Sequence, residues 1–104
     1  MVDEMVIGVI FIDAATGKEH DVYKELEKDL ADKKPDMPHL TSLYLMFEEY
    51  DVGCIARANN YEQLGRYVVD RVRAIEGVVS TRIYTGVELP TDKLPNSSVS
   101  VVKD

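Results

Sequence analysis

One unbroken run of side chains able to bind or ionise is Glu48-Glu49-Tyr50-Asp51. It sits between two apolar runs, one ending at Phe47 and one starting at Val52. That pattern predicts a β-hairpin with a tight acidic turn. A turn of this kind can offer carboxylates to an ammonium group and free backbone N–H groups to a carboxylate. An Asp in a turn also bonds nearby backbone readily, which is the structural alternative for Asp51. Paired carboxylates act as acid and base only where a desolvated cleft splits their pKa values, and a hairpin tip is wet. Glu48 and Glu49 therefore read as solvated turn residues, Tyr50 as a packing residue at a subunit contact, and no catalytic residue is assigned.

Other reactive side chains give less. Cys54 lies mid-strand among apolar neighbours, with no basic residue beside it in sequence, and reads as a buried, inert thiol. His20 and His39 lack the local spacing of a metal site, so neither metal nor cofactor is expected. No glycine-rich phosphate loop, Cys/His cluster or Ser-His-Asp pattern occurs. The net charge of −7, with basic residues interleaved among acids as in Lys18-Glu19 and Lys24-Glu25, disfavours nucleic acid and anionic membrane as partners. The longest apolar run, Met5 to Ile12, is too short to span a bilayer. A single cysteine excludes an internal disulfide, and with no signal peptide at the N-terminus the expected compartment is cytoplasmic.

The elements that must position the turn follow from periodicity. Met5 to Ile12 is continuous apolar and β-branched, a strand buried on both faces, with Gly8 marking a close approach or bulge. Thr16-Gly17-Lys18-Glu19 fits a capping box, and a helix follows over 17–31 with Val22, Leu26 and Leu30 on one face. Pro35 and Pro38 break it. A second strand is predicted over 39–47 and a third over 52–58, the latter rich in small residues. Asn60-Tyr61-Glu62-Gln63 caps a second helix running to about Ile75, with Leu64, Val68, Val72 and Ile75 on one face and Gly77 as its C′ residue. The fourth strand spans 78–89 and Pro90 ends it. Residues 1–90 form the domain; 91–104 form a tail whose Val99–Val102 has strand character.

The order β-α-β-β-α-β is the ferredoxin-like α+β arrangement, an antiparallel four-stranded sheet with both helices on one face. Strands apolar on both sides would leave the other face uncovered and apolar, which a monomer rarely tolerates. A homodimer of dimeric α/β-barrel type, covering that face, is expected.

Three segments resemble the C-terminal ligand-binding domain of the Lrp/AsnC family, the "regulation of amino acid metabolism" (RAM) module. They are Glu48-Glu49-Tyr50-Asp51-Val52, Asn60-Tyr61-Glu62-Gln63-Leu64, and Arg73-Ala74-Ile75-Glu76-Gly77-Val78-Val79-Ser80-Thr81. The module has a Gly-x-Tyr-Asp turn followed by an apolar strand, and an Ile-Pro-Gly-Val segment leading into a strand with an early Thr. The first βα unit, with Thr16-Gly17-Lys18-Glu19, is also similar to the module's, so the resemblance covers Val6 to Leu89. The chain begins almost at the first strand, as in stand-alone versions that lack the helix-turn-helix domain. Glu48 stands where the motif has glycine and Glu76 where it has proline, and the connection through Pro35 and Pro38 is longer than usual.

The resemblance implies a non-enzymatic sensor that binds an amino acid or related metabolite between subunits, near the turn. It implies dimers that assemble further into rings, and a full-length Lrp/AsnC regulator as an additional partner. Carried over by position, Tyr50 and Asp51 fall on the turn motif and Thr81 on the last strand; with Glu48 and Glu49 they form the expected ligand-binding set. Glu48 adds bulk and negative charge where a ligand carboxylate would approach. Two other readings stand beside this one. One is a small cofactor-free monooxygenase-like enzyme of the same dimeric topology. The other is an interaction scaffold whose ligand site has decayed.

Overall fold

The computed structural model describes residues 5–32 and 38–88. β1 (Met5–Ala14) leads through a short turn into α1 (Glu19–Ala31). β2 (His39–Leu45) and β3 (Val52–Ala58) form the hairpin. A second helix starts as α2 (Tyr61–Arg66) and continues as a π-helical stretch, Tyr67–Val72, before β4 (Val78–Glu88). The sheet order is β2-β3-β1-β4 with every neighbouring pair antiparallel. This is the ferredoxin-like α+β fold, in which each βαβ unit brackets a strand of the other. The tail 91–104 lies outside the described residues.

The register sorts the side chains into two faces. Val6, Gly8, Ile10 and Ile12 pair with Ala58, Ala56, Cys54 and Val52 of β3, and all of these are buried beneath the helices. Val22 and Leu26 of α1, Leu64 of α2 and Val68 and Val72 of the π stretch complete one core. The small residues of β3 allow the helices to approach. At Gly8 a Cβ would lie 2.8 Å from Leu64 Cδ2, so the glycine marks a close approach rather than a bulge.

The other sheet face carries Ile7, Val9, Phe11, Tyr44, Ile55 and Tyr84 with no layer over it among the described residues. Tyr44 and Tyr84 are each 55% exposed, so β1 is fully buried on its helix side only. Its second face is half-buried.

Three local expectations change. The first helix begins at Glu19, and its N-cap position is Lys18 with no side-chain cap bond. Glu19 does reach back, but its carboxylate accepts from the Gly17 N–H at 3.0 Å; Thr16 is not the cap. At the second helix the capping signal holds: Asn60 Oδ1 accepts from Gln63 N–H at 2.8 Å, and Gln63 Oε1 accepts from Asn59 N–H at 2.7 Å. That helix does not run on as a regular α-helix to Ile75; it widens after Arg66, as the Arg73 N–H bond to the Val68 carbonyl shows. Gly77 then turns the chain at φ +102°, a conformation side-chain-bearing residues rarely adopt.

The wide turn aims two side chains at α1. Tyr67 donates its hydroxyl to Asp29 Oδ2 at 2.6 Å, and Arg71 donates to both Asp29 oxygens, with Nε–Oδ2 and Nη2–Oδ1 each at 3.0 Å. Arg71 also donates to the Glu25 carbonyl at 3.0 Å. Burial, then the Asp29 carboxylate, push the Tyr67 phenol far above its usual range, so it stays a donor. Burial and the same carboxylate push the Cys54 thiol up to about 12, consistent with an inert cysteine.

Candidate ligand-contact turn

The β2–β3 connection is broader than the predicted tight turn. β2 ends at Leu45, opposite Val52, and Phe47 is 90% exposed rather than part of the strand. The Met46 N–H closes the loop by donating to the Asp51 carbonyl at 2.8 Å. Asp51 also ties the loop to the end of β1. Its N–H donates to the Ile12 carbonyl at 2.9 Å, and its Oδ2 accepts from the Ala14 N–H at 2.8 Å. The carboxylate therefore satisfies a backbone donor of another strand, rather than the local turn backbone considered from sequence, and one of its oxygens is committed.

Asp13 lies beside it. Partial burial, then the hydrogen bond and negative charge of Asp51, raise the Asp13 pKa above its ordinary 3.8. A carboxyl raised in the native state favours folding fully below its unfolded pKa and loses that contribution as pH rises through the folded value. Asp13→Asn is therefore expected to raise the melting temperature at pH 7, with the gain over wild type shrinking as pH falls toward 3.8. Thermal melts of both proteins between pH 3 and pH 7 check this, and a gain constant with pH would contradict it.

Tyr50 packs back onto the open sheet face. Its ring stacks on Phe11 with centroids 5.3 Å apart, and Tyr84 meets Phe11 edge-on at 5.9 Å. Arg82 pairs with Phe11 across β1–β4 on the same face. Hydrogen bonding to Tyr84, and the facing Tyr50 and Glu49, hold its guanidinium above the ordinary value. The turn thus lies over an aromatic floor that Arg82 shares through its pairing with Phe11, with the Asp13 and Asp51 carboxyls beside each other at the end of β1. A zwitterion fits such a charge pattern.

The expected site residues divide. Tyr50 and Asp51 join Asp13, Phe11, Arg82 and Tyr84; Glu48 and Glu49 are exposed at the tip. Thr81 is not brought to them within one chain. It pairs with Ile12 on the helix side of the sheet, while Phe11 and Arg82 occupy the opposite side. Asp13, Phe11 and Arg82 were not singled out from sequence. Their signal was the strand alternation, which places Phe11 and Asp13 of one strand and Arg82 and Tyr84 of another on one face once the pairing is known.

Two grooves lie elsewhere, of about 460 Å³ beside Asn60, Gln63, Arg66 and Tyr67, and about 640 Å³ beside Lys18, Lys24, Arg71 and Glu76. Both are lined by helix and loop residues. Between helices and sheet the space is filled by Val, Leu and Ile side chains. No group of three or more His, Cys, Asp or Glu residues able to hold a metal occurs among the described residues. No described helix is long and apolar enough to cross a membrane.

No family model matches the chain. Over 55 residues it is 33% identical to an uncharacterized HTH-type transcriptional regulator of Pyrococcus horikoshii, a match covering 53% of this chain and 37% of the regulator. Solved structures share the fold. FFRP-DM1 superposes with a TM-score of 0.64 at 20% identity, over 78% of this chain and 97% of its own. AsnC of Escherichia coli does so with 0.62 at 16%, over 91% of this chain and 56% of its own. A transcriptional regulator of Neisseria meningitidis, solved as a complex with L-Met, gives 0.58 at 17%, over 90% and 56%. The chain thus spans little more than half of the latter two regulators.

Proposed function

We propose that this chain, whose fold is that of the ligand-binding module of Lrp/AsnC regulators, is a small-molecule-sensing and oligomerisation module of regulatory type. It does not bind DNA through the described residues and is not an enzyme. The observation that carries the reading is the β2–β3 turn: Met46 closes it on Asp51, Asp51 ties it to β1, and its Tyr50 is laid on Phe11 next to Arg82. A rigid turn with exposed backbone, a nearby guanidinium and adjacent carboxyls matches an amino acid's two opposite charges. Support for that ligand class comes from the Neisseria regulator of the same fold, whose structure contains L-Met.

In this reading Asp51 and Tyr50 fix the turn, and Asp13 supplies the acceptor for an ammonium group. Glu48 and Glu49 border the entrance, and Thr81 belongs to the subunit contact. The assembly is a homodimer or a ring of dimers, and mixed assembly with a full-length regulator is the route by which a ligand signal reaches DNA. The acidic balance of the chain, −7 overall, supports indirect action.

A thermal-shift screen with the twenty amino acids and common metabolites tests the ligand. A ligand at about 100 times its Kd adds about 2.7 kcal/mol to the native state and raises the midpoint by roughly 10–20 °C. Glu48→Gly restores the glycine of the resembling turn and is expected to enlarge the response to α-amino acids. No response in either protein would move the weight to the scaffold reading. A gel shift showing tight, sequence-specific DNA binding by the purified chain would contradict the indirect role.

A further inference from the structure

The end of the β2–β3 hairpin away from its turn holds a groove of about 460 Å³, a volume in the range of small-molecule pockets. Pro38, just before β2, and Asn60, just after β3, both line it, and it runs along the second helix. Its polar side chains come in a fixed order. Asn60 and Gln63 stand at the first end. Their oxygens are committed to capping, Asn60 Oδ1 to the Gln63 N–H and Gln63 Oε1 to the Asn59 N–H. Each side-chain amide is therefore held still and has only its N–H donors left to offer. The backbone donors of this helix end are already satisfied by those caps, so the side-chain amides are what a ligand meets.

Arg66 adds a guanidinium at the same end, because it reaches back to Glu62 at 3.1 Å. Both side chains of that pair are exposed, and an exposed ion pair yields readily to a competing ligand. Tyr67 comes next, and its ring and Pro38 give the groove an apolar wall. The bond from the Tyr67 hydroxyl to Asp29 at 2.6 Å holds that ring in place. Asp70 closes the far end; it is exposed and takes part in no hydrogen bond or ion pair among the described residues. From Gln63 to Asp70 the helix advances roughly 10 Å.

Donors, an apolar wall and a free carboxylate, in that order, complement a molecule with a carboxylate at one end, methylenes between and an ammonium at the other. We propose that this groove binds ω-amino carboxylates, with the ligand carboxylate on the N–H donors of Asn60, Gln63 and Arg66 and its ammonium on Asp70. An α-amino acid with an uncharged side chain has its two charges too close together to reach both ends. Asp70 and Glu62 disfavour a simple anion, and Arg66 disfavours a simple cation. The site is separate from the β2–β3 turn and does not depend on the ligand proposed there.

Two-dimensional amide NMR spectra of the isotope-labelled full chain, titrated with ε-aminocaproate at millimolar concentration, test this. The side-chain N–H signals of Asn60 and Gln63 are expected to shift together and saturate. Caproate, which lacks the ammonium, and hexylamine, which lacks the carboxylate, are each expected to bind about tenfold more weakly, the loss of one charge-assisted contact. Asp70→Asn is expected to weaken ε-aminocaproate about tenfold without weakening caproate, whereas Arg66→Gln weakens both. Both residues are exposed, and the same spectra report that the variants are folded. Unshifted Asn60 and Gln63 signals overturn the site, as do shifts confined to Phe11, Tyr50 and Arg82, which place the ligand at the turn. Equal binding of ε-aminocaproate and caproate, or wild-type affinity in Asp70→Asn, overturns the two-ended recognition.

Discussion

Asp29→Ala is expected to destabilise the chain by about 2–3 kcal/mol, the largest effect of a surface-layer substitution here. Asp29 accepts from the Tyr67 hydroxyl at 2.6 Å and binds Arg71 through both oxygens. Removing one partner of a buried ion pair costs about 3–5 kcal/mol, because the other charge stays behind. The side chains of Asp29 and Arg71 are 22% and 33% exposed, and Arg71 keeps its bonds to Glu25, so solvent and the second acid recover part of that loss. The part-buried Tyr67 hydroxyl is left without its acceptor. For a domain of this size the shift corresponds to a fall in midpoint of roughly 10–20 °C. Tyr67→Phe removes one bond and leaves the ion pair, and is expected to cost about 1 kcal/mol. Urea or thermal unfolding of the two variants checks both values. An Asp29→Ala loss no larger than that of Tyr67→Phe would show that the Arg71 contact contributes nothing.

This network also shows where sequence reading stops. Apolar periodicity marks the side of α1 opposite Val22 and Leu26 as a charged face, and on it Lys28 pairs with Glu25 at 3.1 Å. Asp29 and Glu25 nevertheless turn toward Arg71, more than forty residues away in the chain. Periodicity within one helix cannot separate an acid that faces water from one that faces the next helix. The π stretch left no trace in the apolar spacing: Leu64, Val68 and Val72 step by four, and so do Val22, Leu26 and Leu30 of the regular α1.

The hairpin was legible as a hairpin, and β3 falls on its predicted bounds, because apolar runs and an acidic break mark strand ends strongly. The partner of Asp51 was not legible, since Ala14 lies 37 residues earlier and becomes a neighbour only through the β1–β3 pairing. The β1–β4 pairing likewise hid Arg82, and with it Asp13 on the same face, from a reading confined to contiguous motifs. It also places Thr81 across the sheet from the turn, which position in a motif could not reveal.

The second large effect concerns assembly. The open sheet face bears Ile7, Val9, Phe11 and Ile55 at its centre, flanked by Tyr44, Tyr84 and the stacked Tyr50. An apolar face of four strands costs free energy in water and gains it when a second sheet covers it, at roughly 25 cal/mol per Å² of apolar surface. A contiguous apolar sheet face is a feature that monomers seldom leave uncovered. A charge placed at its centre must be buried unpaired in the assembly, so Val9→Glu is expected to dissociate it while leaving the helix-side core, to which Val9 does not contribute, intact.

Size-exclusion chromatography with light scattering at micromolar concentration tests the assembly claim most directly. A mass of twice 11.7 kDa or a higher even multiple is predicted for the wild-type chain, falling to 11.7 kDa for folded Val9→Glu. A compact wild-type monomer at that concentration would contradict the account.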